Sequence, residues 1–398
     1  MAHHDGVAEH PTSAQVADKI VIVGAGMSGI GMAIQLKRLL NHRNFELFEK
    51  SDEVGGTWSQ SVYPNLSCDV PSEYYSYSFF QKSDWSEKFA SQPEILDYMH
   101  DCVRHFQLER HIRLQQECTS ICWSEEDALW TLFFNDISRH KSYSIQACYV
   151  VTAMGVLNIP NGLGNLPALS HFSGQCFHTS QWRDIDFSGM KITNREHFTL
   201  IQCDGIEAIE GDDQRVLVDK AGSRHEVDVI IFANGFKTQD LLTPMKVLGI
   251  KGKDLRETWK AKGGSEAYMG VSVNGRPNFS MLAGPNTLPS GSSTLRGIEC
   301  SIIYITQILR SLWARAGVKK AQPLVVMPTQ KAKAEFNAMI QQKMKGLVYT
   351  SSVNTWYINK NGGKNTLIWP DTQFSFWRSR CLWPIRWSDW TVQSNLDE

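Results

Sequence analysis

Apolar and polar positions divide the start of the chain into a regular series. Ile20 to Val23 is an unbroken, β-branched apolar run, the pattern of a strand covered on both faces. It stops at Gly24-Ala25-Gly26-Met27-Ser28-Gly29, and Ile30 to Leu40 predicts a helix. Phe45 to Glu49 predicts a second strand that closes on an acid. Over 92–107, Ile95, Leu96, Met99 and Val103 fall on one helical face, and Pro93 sits near the start, where a missing N–H is tolerated. Residues 112–134 alternate as antiparallel strands do, with Trp123 and Trp130 as core candidates, and 143–152 predicts one more strand. Further strands are expected at Val216–Val218 and Val227–Phe232, and a helix at Ile298–Leu312. Phe336, Met339, Ile340, Met344 and Leu347 recur at helical spacing over 331–347.

The first of these patterns carries chemistry. In strand–Gly24-x-Gly26-x-x-Gly29–helix, Gly24 permits a tight turn, Gly26 lets a pyrophosphate approach the backbone, and Gly29 lets helix and strand pack closely. The free N–H groups at the helix start suit phosphate. Glu49 follows Gly24 by 25 residues, near the spacing at which a carboxylate takes ribose hydroxyls. An acid there favours a ribose without a 2′-phosphate, hence FAD or NAD over NADP. The glycine pair of Val54-Gly55-Gly56-Thr57-Trp58 would suit a loop lying flat on a planar ligand.

Composition narrows the class. The 398 residues carry 42% hydrophobic and 20% charged side chains, which allows two domains or one large discontinuous one. A net charge of −1 gives no electrostatic case for nucleic acid. Nine scattered cysteines without metal spacing suggest reduced thiols in the cytosol and no metal site. Residues 1–17 read as a disordered lead-in without a signal-peptide core, and no apolar run is long enough to span a membrane. The last 50 residues hold six of the 13 tryptophans, which argues that this segment packs.

Four motifs in order carry a resemblance. They are Gly24-Ala25-Gly26-Met27-Ser28-Gly29, Gly55-Gly56-Thr57-Trp58, the run from Tyr63-Pro64 through Cys68-Asp69 to Tyr74-Tyr75-Ser76-Tyr77-Ser78-Phe79, and Phe172-x-Gly174-x-x-x-His178-x-x-x-Trp182. Together they resemble class B flavin monooxygenases, most of all Baeyer–Villiger monooxygenases of fungal secondary metabolism. The resemblance implies an α/β fold: a Rossmann-like, glutathione-reductase-type FAD domain of three layers, with a reduced remnant of a second dinucleotide domain. It implies a first FAD-domain part over 18–155, a linker and remnant over 156–230, and a second FAD-domain part with an aromatic C-terminal segment over 231–398. Gly24, Gly26, Gly29 and Glu49 would hold the ADP half of FAD. Gly56, Thr57, Trp58, Asp69, Tyr75 and Asn286 would line the flavin or its substrate face. His178 would be a structural histidine in a coupling linker. Asn65 and Asn234 depart from the family's usual Gly and Thr.

The resemblance also exposes a gap. After Trp182 to Lys191 the family continues into a second glycine fingerprint for NADPH, a helical insertion and a catalytic arginine. Here the chain runs through Ile192-Thr193-Asn194-Arg195 straight to Phe198-Thr199-Leu200-Ile201, which matches sequence beyond the missing part, and Arg195 lacks the family's flanks. The expectation is an FAD-dependent oxidoreductase of the monooxygenase type without its own NADPH site. It would act on an apolar, natural-product-like molecule, with electrons from a separate flavin reductase or from the substrate. The rival expectation is a redox-neutral isomerase or cyclase that keeps FAD as scaffold, with Asp69, Glu73 or Tyr75 doing acid–base work after burial shifts their pKa. A non-catalytic relative is the third. Glu299, in the first turn of the Ile298 helix, is expected to complement the helix dipole.

Overall fold

All four side chains of the central strand, β1 (Ile20–Val23), are buried. In the computed structural model, which describes residues 16, 18–162, 169–186, 205–289, 292–316, 324–350, 356–358 and 363–393, the chain divides into two units. The first comprises residues 1–56, 67–156 and 238–398, and the second comprises 57–66 and 157–237.

In the first unit, β1 leads through the glycine turn into α1 (Met27–Leu40) and β2 (Phe45–Phe48). The helix begins three residues earlier than its apolar run, because Met27, Ser28 and Gly29 already form its first turn. After α2 (Gln92–His105) come β3 (Ile112–Arg113), the meander β4 (Gln116–Ser124), β5 (Leu129–Asp136) and β6 (Lys141–Ala147), and then β7 (Tyr149–Thr152). The single strand expected over 143–152 is therefore two. The half-exposed Lys141–Ala147 pairs antiparallel with β5, whereas the wholly buried Tyr149–Thr152 runs parallel beside β1. One straight strand could not serve both sheets, and the chain changes sheet at Cys148, whose N–H bonds the Lys19 carbonyl at 3.0 Å.

In the second unit Thr57–Gln60 forms a helical turn, where the sequence suggested a flat loop. Further along it, β8 (Gln175–His178) lies parallel to β12 (Val229–Phe232), and β9 (Ile206–Glu210), β10 (Val216–Asp219) and β11 (Arg224–Glu226) form an antiparallel sheet.

The chain then returns to the first unit. There β13 (Lys246–Leu248) extends the meander beside β4, α3 (Leu255–Ala261) follows, and β14 (Phe279–Met281) joins β7. The parallel sheet has the order β14-β7-β1-β2-β3. Val21 and Val23 pack on Trp123, Trp130, Leu132 and Phe134 of the meander. Ile20 and Ile22, one residue out of phase, face the opposite side. There α1 meets α4 (Thr294–Ala316), so closely that a Cβ on Gly31 would stand 3.0 Å from the Ile302 side chain. Helices, parallel sheet and meander are the three layers. The α4 helix starts at Thr294, four residues before the expected Ile298.

The C-terminal segment adds β15 (Val325–Pro328), antiparallel to β16 (Trp390–Gln393), together with α5 (Gln330–Met344) and α6 (Gln373–Trp377). Phe336, Ile340 and Met344 of α5 are buried, but Met339 is exposed and Leu347 lies beyond the helix end. The tryptophans also divide. Trp369 and Trp390 are buried, whereas Trp356 is 49% and Trp383 52% exposed. Among the described residues no helix is long and apolar enough to cross a membrane.

Candidate dinucleotide site

Three strand ends converge on the glycine turn. The Gly24 N–H bonds the Phe48 carbonyl at the end of β2 (2.7 Å), and the Ala153 N–H, after β7, bonds Val23 (2.7 Å). Gly24 has φ +105°, and a Cβ there would lie 2.5 Å from the Ala153 carbonyl oxygen. A Cβ on Gly29 would lie 1.9 Å from the Gly24 carbonyl oxygen. Both positions exclude side chains for packing reasons alone. Gly26 differs: its Cβ would meet nothing nearer than the Gly56 Cα, at 3.5 Å. What glycine leaves there is an open backbone face.

Gly26 is the N-cap of α1, makes no side-chain cap, and no acid stands in the first turn. The helix's first N–H groups and its positive end are therefore uncompensated by side chains, as an anion site requires. The glycine pair lies against this turn, with Gly55 N–H on the Ala25 carbonyl at 3.0 Å and Gly56 at φ +56°. Glu49 is buried at the end of β2. Its Oε2 accepts the Ala25 N–H at 2.7 Å and its Oε1 the Ser51 N–H at 3.0 Å. The carboxylate is thus fixed beside the first residue of the turn, where it can also accept ribose hydroxyls. A side-chain-free turn, an uncapped helix start and a pinned carboxylate fit the diphosphate and ribose of a dinucleotide.

The other expected residues are placed as follows. Thr57, exposed, and Trp58, buried, follow Gly56 directly but belong to the second unit. Asp69 and Glu73 are exposed, so the burial that an acid–base role asks of them is absent. Tyr75 is half-buried, and its phenol is pushed up by desolvation and then by the Asp69 charge. It therefore keeps its proton and is not an ionised base. Asn286 is buried and donates its amide hydrogens to the carbonyls of Asn365 (2.8 Å) and Ile368 (3.0 Å). It clasps two loops together and does not present its amide to the turn.

Two residues near the turn have roles that the pattern did not reveal. Tyr77, fully buried, donates its hydroxyl to the Met27 carbonyl in the first turn of α1, and stacks on Phe79 with ring centroids 5.0 Å apart. Glu299 lies beyond the first turn of the longer α4 and does not complement its dipole. It accepts the Ser78 N–H (2.9 Å) and hydroxyl (2.8 Å) and pairs with Arg296 at 3.2 Å. The aromatic run is thereby fastened at Tyr77 to one helix and at Ser78 to the other. Neither partner is near in sequence, so only the fold could disclose them.

In the second unit His178 is buried and satisfied on both nitrogens. Nδ1 accepts the Ser180 N–H (3.1 Å), and Nε2 lies 3.1 Å from the Gly235 carbonyl. A carbonyl can only accept, so the proton is on Nε2. The histidine joins β8 to the turn after β12 and has no free nitrogen for catalysis. Arg195 and the junction near 190–198 lie outside the described residues.

Comparison with known proteins points to a flavoprotein. Residues 17–193 match the family described as flavin-binding monooxygenase-like. A Baeyer–Villiger monooxygenase of Pseudomonas aeruginosa is 26% identical over 490 aligned positions, covering 92% of this chain and 89% of that protein. The FAD-binding monooxygenase ktnD of Aspergillus niger is 24% identical over 505 positions, covering 94% and 82%. The closed crystal structure of cyclohexanone monooxygenase superimposes with a TM-score of 0.77 at 20% identity, covering 95% of this chain and 99% of that one. This last likeness establishes the fold. These likenesses support a flavin-dependent enzyme of the class B monooxygenase type with FAD as its cofactor, and the stretch matched, 17–193, contains the dinucleotide turn.

Proposed function

We propose that the chain is an FAD-dependent enzyme that acts on an apolar small molecule of the natural-product kind and lacks a nicotinamide site of its own. The observation that carries this reading is one of length. The alignments with the two relatives extend over 490 and 505 positions, yet the whole chain has 398 residues. The relatives therefore contain positions for which this chain has no residues. Its sequence also holds one complete Gly-x-Gly-x-x-Gly fingerprint, at Gly24, and no second. Bound FAD supplies the redox chemistry. The residues of this chain hold it: Gly24, Gly26 and Gly29 keep the diphosphate side clear, Glu49 takes the ribose, and Gly56 closes the loop over the turn. Tyr75 offers a phenol proton near Asp69. Reducing equivalents come from a separate flavin reductase or from the substrate, in the cytosol.

The test is anaerobic mixing of the flavin-loaded protein with NADPH while the flavin's visible absorbance is followed. Bleaching no faster than that of free flavin is expected. Rapid, saturable bleaching would overturn the reading. The rival, a redox-neutral isomerase or cyclase with FAD as scaffold, is separated by product formation without oxygen or reductant. The exposure of Asp69 and Glu73 weighs against it.

A further inference from the structure

Away from the glycine turn, three lysines of the first unit surround Glu266. Its carboxylate meets Lys364 at 2.9 Å, Lys262 at 3.4 Å and Lys333 at 3.9 Å. Three ammonium groups thus share one carboxylate, leaving two positive charges unmatched. The three differ in depth: the side chain of Lys262 is 34% exposed and that of Lys364 30%, but that of Lys333 only 3%. Lys364 also donates to the Lys262 carbonyl at 2.7 Å. Among the described residues the carboxylate nearest Lys333 is that of Glu266, at 3.9 Å, beyond hydrogen-bond reach. An ammonium ion this deep ordinarily has a hydrogen-bonded counter-ion.

The surroundings add positive potential. Lys333 lies in the first turn of α5, whose start carries no acid and whose Thr329 side chain caps Ala332. Buried Arg276 bonds the Lys253 carbonyl and Thr258, one turn before Lys262, and its Nε has no partner among the described residues. Desolvation first, then Lys262, pulls the Lys333 ammonium down to about 8, against Glu266 and with a smaller push from Arg276.

We propose that Lys262, Lys333 and Lys364 form a binding site for a small dianionic oxyanion, a phosphate or sulfate group, entered from the exposed side of Lys262 and Lys364 with Lys333 as its floor. A dianion matches the two unpaired charges and would bring Lys333 an anionic acceptor nearer than Glu266 at 3.9 Å. The group is either a free inorganic ion or the phosphoryl end of a small metabolite.

Sulfate is the first probe, because it stays a dianion throughout the range in which Lys333 titrates. It is titrated calorimetrically into the FAD-loaded full chain against chloride of equal ionic strength. Binding is expected at about pH 6.5 and should weaken at least about tenfold at about pH 9.5, where Lys333 is neutral. Lys333→Met, which keeps the apolar stem, should show the same loss at the lower pH. Lys364→Met is the second variant should the first not fold, and should also weaken binding. Affinity for glycerol 3-phosphate above that for sulfate assigns the site to a phosphorylated metabolite; equal affinity assigns it to the free ion. Absence of binding at about pH 6.5, or binding unchanged by pH and by both substitutions, overturns the proposal.

Discussion

A Cβ built on Gly56 would stand 3.0 Å from the Cα of Gly26. These two residues, 30 positions apart in the chain, leave the helix start of α1 clear only while both lack side chains. Gly56→Ala adds strain at φ +56° as well as the contact. It is expected to keep the fold while costing about 1 kcal/mol and to weaken FAD binding about tenfold. Flavin retained after dialysis checks this. Undiminished retention would mean that the glycine pair does not border the cofactor.

Gly29→Ala should behave differently. Its Cβ would fall 1.9 Å from a backbone oxygen, which no rotamer can relieve. The loss is expected to be about 3 kcal/mol or more, read as a lower urea midpoint even in the flavin-free protein. An unaltered midpoint would show that the turn relaxes.

Glu49→Ala removes the acceptor of the Ala25 N–H. That orphans a buried donor, at about 1–3 kcal/mol, and removes the ribose acceptor as well. The ratio of flavin to protein absorbance in the purified variant should fall sharply. Glu49→Gln, which can still accept one hydrogen bond, should retain more flavin than the alanine variant.

His178→Phe leaves the Ser180 N–H and the Gly235 carbonyl without their ring partner. The expected cost is about 1–3 kcal/mol in denaturant unfolding. Because neither nitrogen is free, the pH profile of turnover should keep its shape. A lost limb in that profile would make the histidine catalytic after all.

Lys333 sets a pH dependence of stability. Its folded value, about 8, lies below the unfolded value of 10.5. Between those limits the unfolded chain binds the extra proton, so stability rises with pH across this window and the penalty is complete below it. Thermal melts of wild type and Lys333→Met should show that the rise between about pH 8 and 10 depends on this lysine. Parallel curves would refute the assignment.

Much was legible in the sequence because it is local. The run Ile20–Val23, the three glycines and the acid after Phe45–Phe48 encode a strand, a turn and a strand end through steric exclusion and side-chain period alone. The long motif around His178 is likewise continuous. Residues that act through distant partners were not legible. Asn286 clasps Asn365 and Ile368, Glu299 holds Ser78, and Tyr77 reaches Met27; each is joined by hydrogen bonds spanning 50 or more positions, which no periodicity records. Nor could composition tell the buried Trp369 and Trp390 from the exposed Trp356 and Trp383, or show that Lys333 would be the deepest of three lysines around Glu266. By itself, the sequence determined the dinucleotide turn, since backbone conformation at a glycine is a property of a few adjacent residues. The tertiary structure decided which polar side chains are spent holding the fold and which remain for chemistry, because burial and hydrogen-bond partnership exist only once remote segments have packed.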